Sequence, residues 1–234
     1  MKTTLLRNTI VTGLTAACLA VTASAQQEAI RGHVEALKQS LAQSKQQLKQ
    51  YQWMETTVVL LRGEEKSRKQ YLCHYGVDGT VQKVLVEASP EKHEPGIRGH
   101  IIEKKKEELT DYMQRAVDMV KLYVPPSADK IQRAKDAGNA SLTLIEPGRR
   151  VRLSFRNYQM PGDLLAIDVA PTSNQVLSAT VSTYLDNPKD AVELVIQFAA
   201  LPDGTTYPSS VNLNAQAKNV TVEITNSDYR KVTH

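Results

Sequence analysis

Cys73 and His74 stand side by side, and a thiol next to an imidazole is the pairing that nucleophilic cysteine chemistry needs. They fall in a stretch, Lys69 to Tyr75, whose composition reads as a strand, where consecutive side chains point to opposite faces. The two groups therefore cannot meet, and Cys73 reads as a small buried hydrophobe. His93 and His100 flank a loop and lack a third ligand, which leaves any metal site there short of donors. Asp163, Asp168, Asp186 and Asp203 are dispersed, most of them in turns, where Asp bonds its own backbone. The sequence contains no Gly-x-Ser-x-Gly elbow, Walker loop, His-Glu-x-x-His or dinucleotide fingerprint. No catalytic residue, bound metal or cofactor is expected from it.

What remains is chemistry of binding. Arg149, Arg150, Arg152 and Arg156 form the densest positive cluster, on the outward side of a strand that alternates with Val151, Leu153 and Phe155. Such a face could meet anionic headgroups or an acidic protein partner; it could equally be a solvated face that discourages edge pairing. Lys104-Lys105-Lys106 is followed by Glu107-Glu108 and largely neutralises itself. Neither cluster carries interleaved aromatics for base stacking, so nucleic acid is not an expected partner. Trp53, Tyr71, Tyr75 and Phe155, with Met113 and Val117 from a helix, are candidates to line an apolar cavity, against the alternative of ordinary core.

The chain of 234 residues is 41% hydrophobic and 23% charged, enough for one substantial core. Its first 25 residues have the three parts of an export signal. Lys2 and Arg7 give the positive start, Ile10 to Val21 the apolar stretch, and Ala23-Ser24-Ala25 the small-residue cleavage site. Cleavage after Ala25 lowers the formal charge from +4 to +2 and excludes a dominant electrostatic partner. The expected product is a soluble periplasmic protein, residues 26–234, folded as one domain. Thr15-Ala16-Ala17-Cys18 is a weaker, competing lipoprotein-type site, since leucine is usual where Thr15 stands. Without Cys18, Cys73 is the sole cysteine, so no internal disulfide holds the fold together.

The elements that must position these residues follow from periodicity. Ile30, Val34, Leu37, Leu41 and Leu48 predict an amphipathic helix from 26 to about 50. Strands are expected over Tyr51 to Leu61, Lys69 to Tyr75 and Val81 to Val86, the last two joined by a tight Asp78-Gly79 turn. A loop over Ser89 to Gly99 leads to a helix from about Ile102 to Tyr123, ended by Pro125-Pro126, and Ser127 caps a short third helix. About seven further strands follow from Ser141 on, joined by short turns that require antiparallel neighbours. Strands apolar on one side need a cover, and the helices supply it. The expected fold is α+β: a large curved antiparallel sheet, an unclosed half-barrel, with about three helices on its concave face.

This layout resembles the periplasmic lipoprotein-carrier family. The local likeness lies in Tyr51-Gln52-Trp53-Met54-Glu55 and the Gly63-Glu64 hairpin. It continues in Thr183-Tyr184-Leu185-Asp186, Leu201-Pro202-Asp203-Gly204-Thr205 and Asn226-Ser227-Asp228-Tyr229. The resemblance implies an unclosed β-barrel with a helical lid that binds acyl chains between sheet and helices. A carrier of that family offers an arginine that helps close the lid; no arginine of this chain is assigned to that role, and Lys104-Lys105-Lys106 departs from a simple lid.

Two functions are compatible with these features. In the first, a non-catalytic monomer binds or carries a lipid or acylated polypeptide between sheet and helices. In the second, the same scaffold is filled solidly and serves as an envelope protein-interaction or stress-sensing module. An apolar cavity of several hundred Å³ would distinguish the first, since ligand pockets run from roughly 300 to 1,000 Å³; a solid interior with an exposed apolar patch would distinguish the second.

Overall fold

The computed structural model describes residues 28, 32–36, 38–89 and 97–232. The expected export segment and Cys18 lie outside those residues, as do Ile30, Leu37 and His93.

The first helix, α1, covers 38–48, with helical residues 32–36 before it. Three strands follow: β1 (Tyr51–Leu61), β2 (Glu64–Tyr75) and β3 (Val81–Ala88). The helices α2 (Ile97–Val120) and α3 (Ala128–Asp136) come next. Seven strands complete the chain: β4 (Ala140–Glu146), β5 (Arg150–Arg156), β6 (Leu164–Ala170), β7 (Gln175–Tyr184), β8 (Ala191–Ala200), β9 (Thr206–Ala215) and β10 (Val220–Lys231). All ten join one antiparallel sheet in the order β3-β2-β1-β10-β9-β8-β7-β6-β5-β4. Only the pairing of β1 with β10 is remote in sequence, and β3 and β4 are left as edges. The sheet is not closed.

Directly opposed residues in antiparallel strands share a face, so the register traces one face across the whole sheet. It runs from Leu153 through Ile167, Ala179 and Ile196 to Val211, Ile224 and Thr57. Over β5 to β9 this face is apolar and covered. Leu153, Phe155, Leu165, Val181 and Val192 are almost fully buried against Ala116 and Val120 of α2 and Ile131 and Ala134 of α3, with Leu41 of α1 packed beside them. The fold is α+β, with the helices on one face of an unclosed sheet.

Several boundaries move. β2 starts at Glu64, five residues before Lys69, because Arg62 and Gly63 alone make the hairpin turn, with φ of +55° and +79°. Positive φ at both central residues matches the twist of the flanking strands. The charged start of β2 is exposed and laced by Lys66–Glu64 and Arg68–Glu65 ion pairs. α2 begins at Ile97, inside the stretch expected to be loop, and ends at Val120. Tyr123 follows it, buried, and donates its hydroxyl hydrogen to Asp163. β10 runs to Lys231, and its end pairs with the start of β1.

Candidate functional site

The traced face does not end where the helices do. Across β10, β1, β2 and β3 it carries an aromatic cluster centred on Tyr229. The Tyr229 ring stacks on Trp53 at 5.5 Å between centroids, lies 4.3 Å from Tyr207 and meets Tyr51 edge-on at 6.3 Å. Tyr75 leans on the other side of Trp53 at 5.7 Å. The Trp53 indole N–H donates to Asn226 Oδ1, whose amide in turn donates to the Pro208 carbonyl. Burial raises the Tyr229 and Tyr75 hydroxyls above the usual phenol range.

Beside this cluster sits a charged pair. Strand alternation from Trp53 puts Glu55 on the same face, opposite Tyr71 of β2, and Tyr71 in turn opposes Leu85 of β3. Glu55 is only 9% exposed in its side chain, and both its oxygens accept from Lys83 Nζ, at 2.6 and 2.7 Å. Lys83 opposes Cys73, and its ammonium also lies over the Tyr71 ring. Cys73 is fully buried under this pair, and burial first, then the Glu55 charge, pushes its thiol up to about 11. The lysine therefore bridges two strands over a dry thiol. A thiol held neutral in this way is a poor nucleophile.

The outer part of the face is open among the described residues. Tyr71 and Tyr75 are half-buried, Val81 is 38% exposed and Leu85 54%. Every residue of β3 is exposed. Its other side shows Val84, and Val86 is exposed as well. In α2, all residues from Glu103 to Asp111 are exposed except the half-buried Leu109, and Tyr112 is the first buried one after Glu103. There it is fastened to the β7–β8 turn by the Tyr112 hydroxyl on Asp190 and by an Arg115–Asp186 ion pair.

The six residues expected to line a cavity are divided between two places. Phe155, Met113 and Val117 belong to the filled core under α2 and α3. Tyr71 and Tyr75 lie on the open part of the face, while Trp53, 7% exposed, is buried against Tyr75 and Tyr229. Tyr229, Tyr207, Glu55 and Lys83 were not among the residues expected at a site; Glu55 and Tyr229 stood only in the motifs of the family likeness, although alternation from Trp53 would have placed Glu55. The four arginines are mostly engaged within the chain. Arg152 makes a two-toothed contact to the buried Asp168, Arg150 approaches the same carboxylate at 3.9 Å, and Arg149 pairs with Glu146. Arg156 stands exposed at the end of β5. His74 lies on the opposite face from Cys73, as strand alternation requires.

No helix among the described residues is long and apolar enough to cross a membrane. No family model matches the chain, and no curated protein matches it in sequence. A crystal structure of a DUF1329 family protein from Desulfovibrio piger aligns with 86% of this chain and 92% of its own, at 9% identity and a TM-score of 0.37. At that distance the likeness is a bare overlap of layout.

Proposed function

We propose that the protein is a non-catalytic binder or carrier of an acyl chain, belonging to a lipid or a lipid-modified polypeptide, and that the chain lies on the open face of β1 to β3. The core between β5–β9 and the helices is occupied by buried side chains such as Leu153, Phe155, Leu165 and Val181. The observation that carries this reading is the continuity of one largely apolar and aromatic face from covered to uncovered sheet, interrupted by the Glu55–Lys83 pair. Val81 opposes Tyr75, Tyr75 leans on Trp53, and Trp53 stacks on Tyr229. That row crosses four strands, roughly 15 Å at ordinary strand spacing, the reach of a long acyl chain. Burying a methylene there stabilises the complex by about 0.8 kcal/mol. Export by the 1–25 segment, residence in the periplasm and kinship with the lipoprotein carriers belong to the same proposal.

One observation favours a second reading, a protein-interaction or sensing module. Among the described residues β3 exposes apolar side chains together with an unpaired edge that a polypeptide strand could join. The two separate in one experiment. Trp53 is the only tryptophan and is buried against Tyr75 at the border of the proposed site, so its emission reports occupancy through that contact. Titration of detergent-free protein with palmitate should give a saturable blue shift, and native mass spectrometry should show a one-to-one adduct. Leu85→Lys should abolish both. A bare polypeptide mass with unchanged Trp53 emission would overturn the acyl reading and leave the protein-partner one standing.

A further inference from the structure

A cleft of about 460 Å³ lies away from the aromatic face, between α3 and the β5–β6 connection, lined by Lys130, Arg133, Asn139, Asn157, Tyr158 and Gln159. Its volume falls within the range of small-molecule sites. Its lining is cationic and amide-bearing, with no carboxylate. Lys130 Nζ donates to the Leu122 carbonyl and sits over the Tyr158 ring, so its charge is solvated by dipoles and not cancelled by an acid. Arg133 forms no ion pair or hydrogen bond through its guanidinium among the described residues, and the same holds for the side-chain amides of Asn139 and Gln159. Asn157 Oδ1 accepts from the Gly162 N–H, which leaves its NH₂ as a donor.

Two of the acids nearby are occupied, and a third, Asp129, is exposed one turn before Arg133 on α3 and is not part of the lining. Asp163, 2% exposed, turns its oxygens to the N–H groups of Tyr158, Gln159 and Met160 and to the Tyr123 hydroxyl. Asp136 accepts from Gln132 on the same helix. An Arg guanidinium offers a planar fork of donors matched to phosphate oxygens, and amides both donate to and accept from hydroxyls. A cleft of this size holds more than a bare ion.

We propose that this cleft binds a phosphate ester of a small polyhydroxy compound, with Arg133 and Lys130 on the phosphate and Asn139, Asn157 and Gln159 on the hydroxyls. The same chemistry is carried by a soluble sugar phosphate and by the headgroup of phosphatidylglycerol. This site is independent of the acyl-binding face.

The test is calorimetric titration of the full chain with glucose 6-phosphate, glucose and inorganic phosphate, with phosphatidylglycerol and phosphatidylcholine vesicles in a parallel arm. Saturable binding of glucose 6-phosphate, at least tenfold tighter than inorganic phosphate and absent for glucose, assigns the soluble ester. Binding confined to phosphatidylglycerol vesicles assigns the headgroup. In either case Arg133→Ala should weaken binding at least tenfold and Lys130→Ala by a smaller factor, while Lys218→Ala, exposed in the β9–β10 connection and outside the cleft, leaves it unchanged. Arg133 is exposed and Lys130 half-buried, and circular dichroism checks that the fold is intact in both variants. No saturable binding in either arm, equal binding of glucose, or an equal loss in Lys218→Ala would overturn the assignment.

Discussion

The indole of Trp53 and the ring of Tyr229 lie within 9° of parallel, and an irregularity in the sheet puts them there. Gln52 pairs with Arg230 and Met54 with Ser227, so Trp53 alone faces both Asp228 and Tyr229. Asp228 takes up the extra residue with φ of +54°. Such a bulge shifts the side-chain parity of the strand beyond it. Strict alternation from Ile224 and Asn226 would turn Asp228 inward and Tyr229 to the other face. The bulge reverses that, and the tyrosine becomes the centre of the cluster.

Tyr229→Ala should therefore destabilise the protein by about 2–4 kcal/mol, from lost burial and lost ring contacts. The Tyr229 hydroxyl makes no hydrogen bond among the described residues, so Tyr229→Phe should fall within about 0.5 kcal/mol of the parent. Urea unfolding followed by Trp53 emission measures both. Equal losses in the two variants would show that the hydroxyl, not the ring, matters.

Asp163 organises the far end of the core. It receives four hydrogen bonds, from the backbone N–H groups of Tyr158, Gln159 and Met160 and from Tyr123. Removing a buried carboxylate leaves these donors without a partner, at about 1–3 kcal/mol for each group that water cannot reach. Asp163→Ala should cost roughly 3 kcal/mol or more, and Tyr123→Phe about 1–2 kcal/mol, because Asp163 keeps its three backbone donors and Thr183 keeps its contact to the Met160 sulfur. A midpoint shift in denaturant with unchanged slope is the expected result.

Much of this architecture was legible in the sequence because it rests on a period of two. Val151, Leu153 and Phe155 alternate with arginines and lie buried where alternation puts them. All ten strands, the Asp78-Gly79 turn and the three helices were readable for the same kind of reason. The site was less so. A bulge is one residue in a strand, and no residue type in Ser227-Asp228-Tyr229 declares it. Whether aromatics fill a core or border an open face depends on which strands the helices reach, and that is decided by the β1–β10 pairing of the two ends of the chain. Local spacing in the arginine cluster does not show that Arg152 is engaged, because the acid that takes it, Asp168, sits on the neighbouring strand, while Arg156 stays exposed.

Acid should weaken the clasp between the start of β1 and the β8–β9 turn. The Tyr51 hydroxyl first, then the Thr205 hydroxyl and N–H, hold the Asp203 carboxyl well below the usual carboxylate range. A carboxylate with a lowered folded pKa contributes stability that is fully present above its unfolded value of about 4 and is lost as pH falls below it. Melting temperature should drop from pH 5 to pH 2 in the parent and less steeply in Asp203→Asn. Parallel curves would remove Asp203 from the account of acid sensitivity.

Cys73 gives the opposite sign at the alkaline end. Its folded pKa of about 11 lies above the unfolded value of about 8.5. Its contribution is fully present below the unfolded value and declines as pH rises toward the folded one. At pH 8 the native thiol should resist a disulfide reagent such as DTNB and react at once in denaturant. Rapid labelling of the native protein would contradict its burial.

The Glu55–Lys83 pair tests whether the open face is built for stability or for a ligand. Glu55 is nearly dry while Lys83 is 42% exposed, so the lysine brings a solvated charge to a carboxylate that has lost its water. Lys83→Ala strands that carboxylate, and the loss should reach about 1–3 kcal/mol, below the full value for a buried pair because Lys83 itself remains half in water. Replacing both, as Glu55→Gln with Lys83→Met, removes the stranded charge and should recover most of the loss. A double-mutant cycle by urea unfolding isolates the coupling. If the double variant keeps its stability and still shifts Trp53 emission with palmitate, the pair is a structural bridge across β2. If stability is kept and the shift disappears, the pair borders the bound chain, and the charge sits on this face because of what binds there.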